Sequence, residues 1–156
     1  MFDPNKSLQD QYAPHNACFG CGPSNAKGLR IKSFYQDERY IAQWRPEAHH
    51  EAFPGMLNGG VIGTLLDCHS NWSAAFALMQ SRGLSSPPCT VTAYFNITLK
   101  RPTPSDSLIE VIASITEIKD DQVLVSATLS ANAKLCATCE GKFVAVKEGH
   151  PAFHRW

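Results

Sequence analysis

The stretch Leu57-Asn58-Gly59-Gly60-Val61-Ile62-Gly63-Thr64-Leu65-Leu66-Asp67-Cys68-His69-Ser70-Asn71-Trp72-Ser73-Ala74-Ala75-Phe76-Ala77-Leu78-Met79-Gln80 decides the fold. Val61, Leu65, Cys68, Trp72, Ala75, Phe76 and Met79 recur at i, i+3 and i+4 spacing, which predicts one long helix with a single buried face. Gly83 and the run Ser85-Ser86-Pro87-Pro88 end it. The period then drops to two. Val91, Ala93, Phe95, Ile97 and Leu99 alternate with Thr90, Thr92, Tyr94, Asn96, Thr98 and Lys100, the pattern of a half-buried strand. Three further strands are expected at about 107–118, 122–131 and 134–147, with Asp120-Asp121 and Asn132-Ala133 at the hairpin turns. Upstream, two short strands at about 29–35 and 39–45 flank the turn Gln36-Asp37-Glu38, and 46–56 forms a loop broken by Pro46, Pro54 and Gly55. Two strands, a long helix and four strands predict an α+β fold in which an antiparallel sheet wraps around one long central helix.

The 156 residues suit one domain, which we expect over 28–148, preceded by a polar surface arm over 1–27 and followed by a short tail over 149–156. Charged residues make up 18%, below the usual ~25%, so part of the surface is expected to be covered by another copy of the chain. Lys plus Arg equals Asp plus Glu at 14 each, a balance that argues against nucleic acid or an anionic membrane as partner. No apolar run approaches the ~18 residues of a membrane span, and Met-Phe-Asp-Pro-Asn-Lys has no signal-peptide core. A soluble, cytoplasmic protein with six reduced cysteines is the expectation, and no cofactor is implied.

Asp67 stands out chemically, because it lies mid-helix with no cation within one turn. At about 100° per residue, Gly60, Gly63 or Thr64, Asp67 and Asn71 share one stripe. Small residues beside a carboxylate leave room for a slender substrate. Gly59 and Gly60 open the helix, where backbone N–H groups lack intrahelical acceptors and suit a developing oxyanion. Eight residues at about 1.5 Å each separate Gly59 from Asp67 by ~12 Å along the axis. A carboxylate facing the carbonyl held at Gly59 therefore has to come from a second chain, or the substrate has to bridge the gap.

Two Cys-x-x-Cys pairs occur. Cys136 and Cys139 fall in a predicted strand on opposite faces, where they cannot share an ion without a bulge. Cys18-x-x-Cys21 followed by Gly22 looks like a zinc knuckle, with a tight turn packing the arm as the favoured reading of the pair; Cys68 reads as core, and no residue is assigned to a metal. His69 lies about 200° around the helix from Asp67 and falls outside its site. His49 and His50 border the loop before the helix; ordering that loop is the favoured role for either, with substrate contact as the alternative.

The segment His50-Glu51-Ala52-Phe53-Pro54-Gly55-Met56-Leu57-Asn58-Gly59-Gly60-Val61-Ile62-Gly63-Thr64-Leu65-Leu66-Asp67 resembles the signature of hotdog-fold acyl-CoA thioesterases, in particular the phenylacetate-pathway thioesterase-like branch. Cys18-Phe19-Gly20-Cys21-Gly22, Asn25, Gly28-Leu29 and the strand from Tyr94 to Arg101-Pro102 resemble further motifs of that branch, so the likeness covers roughly 16–147. The resemblance implies a hotdog fold and hydrolysis of acyl-CoA or aryl-CoA thioesters by a homodimer or a dimer of dimers. It implies Asp67 as the catalytic base or nucleophile, Gly59 N–H as the group polarising the carbonyl, and Asn58 as positioning the same oxygen. Asn58 stands where the family usually has His, and Glu51 where it often has Gln. Asn still donates a hydrogen bond but shuttles no proton. Substrate contacts are expected from Gly60, His50, Glu51, Thr64 and Asn71, and phosphate contacts from Lys100, Arg101 and Arg82. Two alternatives use the same fold: a non-catalytic acyl-CoA binding module, and a 3-hydroxyacyl thioester dehydratase or hydratase.

Overall fold

The computed structural model describes residues 1–156. Its elements are a short helix α1 (Leu8–Tyr12), strands β1 (Ser33–Gln36) and β2 (Arg39–Trp44), a small hairpin of β3 (Glu51–Phe53) and β4 (Met56–Leu57), the long helix α2 (Gly59–Arg82), and strands β5 (Thr90–Leu99), β6 (Ile109–Lys119), β7 (Gln122–Ala131) and β8 (Lys134–Ala145). Six strands form one antiparallel sheet in the order β1-β2-β6-β7-β8-β5, packed against α2. The expected sheet around a central helix is present. No helix is long and apolar enough to cross a membrane.

Local chemistry sets the boundaries. Asn58 caps α2 by accepting from the Gly60 and Val61 amides, and Gly83 closes it at φ 62° in the left-handed region where glycine carries no Cβ penalty. Asn132 and Ala133 both take positive φ in the β7–β8 turn, the geometry whose twist matches paired strands.

The helix departs from the expected single buried face. Every residue from Ile62 to Met79 is buried except Thr64 and Asp67. The sheet covers one side, and the N-terminal arm and the C-terminal tail cover much of the other. Trp156 stacks on Trp72 with centroids 4.6 Å apart, and Phe2 lies 5.0 Å from Phe76. The arm is correspondingly more than a surface strap. Its five-residue α1, capped by Ser7, is too short to register as a period, yet Leu8 and Gln9 are fully buried.

Gln9 anchors a chain of buried hydrogen bonds. Its Nε2 donates to Ser33 Oγ (3.0 Å) and its Oε1 accepts from the Ser33 amide (2.8 Å). Ser33 Oγ meets His69 Nδ1 at 2.9 Å, and His69 Nε2 meets the Tyr40 carbonyl at 3.2 Å. A carbonyl only accepts, so Nε2 carries the proton and Nδ1 accepts from Ser33. Burial pushes the His69 pKa down to about 4, with the Tyr40 carbonyl opposing the shift.

Two irregularities re-aim side chains. In β5 the register with β8 slips between Thr92 and Tyr94, an extra residue at Ala93 that lets Thr92 and Phe95 face the same side. In β8 a slip opposite Leu129 and Ser130 falls at Cys136. Cys136 and Cys139 are consequently both buried, which corrects the expectation of opposite faces. They still form no cluster, because Cys136 Sγ turns onto the Lys134 carbonyl.

Candidate active site

The gap in the covering of α2 opens on a groove of about 450 Å³ between α2, the Cys18–Gly20 loop and β5. Along α2 the groove is lined by Gly59, Gly60, Gly63, Thr64, Asp67 and Cys68, the small-then-acidic stripe expected from the helical period. Phe95 and Ile97 of β5 form the opposite wall, and Gly63 is what lets Ile97 approach: a Cβ there would sit 3.3 Å from its Cδ1. Asp67 Oδ1 accepts a 2.7 Å hydrogen bond from Thr92 Oγ1. Burial raises the Asp67 pKa, and the Thr92 hydroxyl partly offsets the rise. Thr92 was not legible as Asp67's partner, since strict alternation puts it on the face away from Phe95.

At the other end the Asn58 cap absorbs the Gly60 and Val61 amides at 2.8 and 3.2 Å, leaving the Gly59 N–H with no acceptor in the chain. This is the free amide the helix start was expected to provide. Gly59 also lines a second groove of about 420 Å³, together with Ala52, Phe53, Leu99, Lys100 and Arg101. The two grooves thus meet at Gly59, with Asp67 on one and the two cations on the other.

Other expected contacts are placed elsewhere. Asn58, expected to position the substrate oxygen, turns its own side-chain oxygen back onto two helix amides. Asn58→Ala is therefore expected to lower unfolding stability by about 1 kcal/mol, read from denaturant melts. His50 takes the Glu47 amide on Nδ1 and offers its carbonyl to the Asn58 amide, so it orders the turn before α2 and lines neither groove. Glu51 accepts from Ser105 Oγ, and Asn71 is buried with its Oδ1 accepting from Thr90 at 2.8 Å; neither lines a groove. Both are held by partners distant in sequence, which no spacing argument reveals. Arg82 sits at the far end of α2, bound to Asp121 at 2.9 Å.

No family model matches the chain. Over 106 residues (67% of the chain, 42% of the relative) it is 27% identical to acyl-coenzyme A thioesterase THEM4 of Mus musculus. The chain thus spans less than half the length of the curated relatives it matches. The thioesterase superfamily protein of Shewanella loihica is 32% identical at TM-score 0.69, covering 89% of this chain and 99% of that one. The E. coli PaaI protein of the phenylacetic acid degradation operon has the same fold: TM-score 0.65, 15% identity, covering 78% and 83% of the two chains. So does a Streptococcus mutans protein bound to acetyl CoA: TM-score 0.62, 14% identity, covering 74% and 88%. On the match in sequence and structure across almost the whole Shewanella protein, the chain belongs to the hotdog-fold thioesterase superfamily.

Proposed function

We propose that the protein hydrolyses acyl-CoA thioesters at the groove between α2 and β5. The observation that carries this reading is the lone window in α2: in an otherwise buried run, Thr64 and Asp67 face a groove that ends at an unsatisfied amide. Gly59 N–H donates to the thioester carbonyl and stabilises the oxyanion as water adds. The Asp67 carboxylate takes the proton from that water, or attacks the carbonyl itself to give an anhydride that water then opens. The C–S bond breaks, and the thiol and the free acid leave. Lys100 and Arg101, on the second groove, suit the phosphates of coenzyme A. The THEM4 relative's name and the acetyl CoA on the Streptococcus mutans protein support the substrate class.

The site is shared by two chains in this reading. Gly59 and Asp67 of one helix stand ~12 Å apart along its axis, too far for both to touch one carbonyl. β5 is a sheet edge, bonded only to β8, with Phe95 and Leu99 40% and 57% exposed beside the grooves. An unpaired edge with apolar side chains is what a second copy covers. The test is thiol release from a panel of aliphatic and aryl CoA thioesters, with molar mass measured by light scattering. Turnover of at least one thioester by a species of twice the chain mass or more is expected. Absence of thiol release across the panel overturns the activity, and an active monomer overturns the shared site.

A further inference from the structure

Cys18, Cys21 and Cys68 come together although 50 residues of chain separate the first from the last. Their sulfurs all lie within 4.8 Å of one another, and Cys18 Sγ and Cys68 Sγ are 3.9 Å apart. Cys21 and Cys68 are buried and Cys18 is half-buried. The surrounding chain is shaped to bring them together. A Cβ on Gly20 would sit 2.3 Å from Cys68 Sγ, and one on Gly22 would sit 2.4 Å from the Cys18 amide nitrogen. Only glycine at both positions lets the loop turn tightly and press onto α2. Trp72 Nε1 donates to Cys21 Sγ at 3.3 Å. Outward donors of this kind orient thiolates that hold a metal.

We propose that Cys18, Cys21 and Cys68 form a binding site for one thiophilic d¹⁰ cation, with zinc as its probe. A zinc ion with bonds of about 2.3 Å holds its sulfurs ~3.8 Å apart, so the observed separations need closing by an ångström or less. A disulfide needs a sulfur separation of about 2 Å, a far larger movement. The thiol protons leave to solvent as the ion binds. Cys18 and Cys68 line the groove and Cys21 lies behind them, so the ion's fourth position faces the groove. Cys18 and Cys68 share their groove with Asp67, but zinc binding by the three sulfurs does not presuppose thioester hydrolysis.

Reduced, metal-free full-length protein is titrated with zinc against a chromophoric chelator, and separately with cobalt to read thiolate-to-cobalt charge transfer. One zinc per chain and a charge-transfer band are expected. Cys18→Ser and Cys68→Ser weaken zinc by more than the about 10–100-fold that outer-shell partners command, and abolish the band. Cys89→Ser and Cys139→Ser leave both unchanged. Should Cys68→Ser fail to fold by circular dichroism, half-buried Cys18→Ser decides alone. No zinc uptake, or uptake that survives Cys18→Ser, overturns the proposal.

Discussion

Asp67→Asn lowers the rate of thiol release by about 10²–10⁴-fold, the range that a positioned general base supplies. The substitution keeps the shape of the side chain and the acceptor for Thr92 Oγ1, so the groove wall stays in place. It removes the negative charge and the lone pair that takes the proton from water. Because burial disfavours the carboxylate at this position, its loss costs little or no stability, and the melting temperature stays close to that of the parent. The loss falls on kcat with KM little changed, since the proton transfer is realised only in the transition state. An Asp67→Asn protein that hydrolyses its best substrate at the parental rate removes the carboxylate from the mechanism, whatever the oligomeric state.

The second large effect is on stability. His69 is fully buried and neutral, with its pKa near 4, against 6.5 in an unfolded chain. Between those values the unfolded state binds a proton that the folded state refuses, so stability is present above pH 6.5 and lost as the pH falls. At about 1.4 kcal/mol per pH unit, the loss reaches ~3 kcal/mol by pH 4. The groups facing the imidazole are the Ser33 hydroxyl, the Tyr40 carbonyl and, behind Ser33, Gln9, none of which titrates in this window. His69→Gln removes the ionisation. It weakens the protein at pH 7, because Ser33 or Tyr40 loses a partner, at about 1–3 kcal/mol for each buried group left unsatisfied. Denaturant melts of reduced, metal-free protein at pH 7 and pH 4.5 are expected to show the parent's advantage over His69→Gln shrinking by about 2–3 kcal/mol at the lower pH. An advantage that does not change between the two pH values means that His69 charges without cost in the folded state.

Some of this was written locally. The long helix, its start at the Gly59-Gly60 pair and the hairpin turns follow from periodicity and turn chemistry, because these depend on residues within one or two turns of each other. The stripe of Gly60, Gly63, Thr64 and Asp67 was legible for the same reason: a helix fixes which residues share a side. Asn71, at the end of that stripe, shows the limit, since its face was decided by Thr90 rather than by its angle on the helix.

What lies on the other side of the groove came only with the tertiary structure. One extra residue in β5 turns both Thr92 and Phe95 toward the helix, and a bulge arises from the strand pairing rather than from the residues at the bulge. Burial of α2 on nearly every side depends on an arm and a tail that carry no period of their own, and it leaves Asp67 at a window rather than on a broad exposed face. The Cys18-x-x-Cys21 turn carried two of the three thiols of the cluster in plain view. Its third sulfur, on Cys68, belongs to it only because Gly20 lets the loop close on the helix, a distance in space that spacing along the chain does not encode.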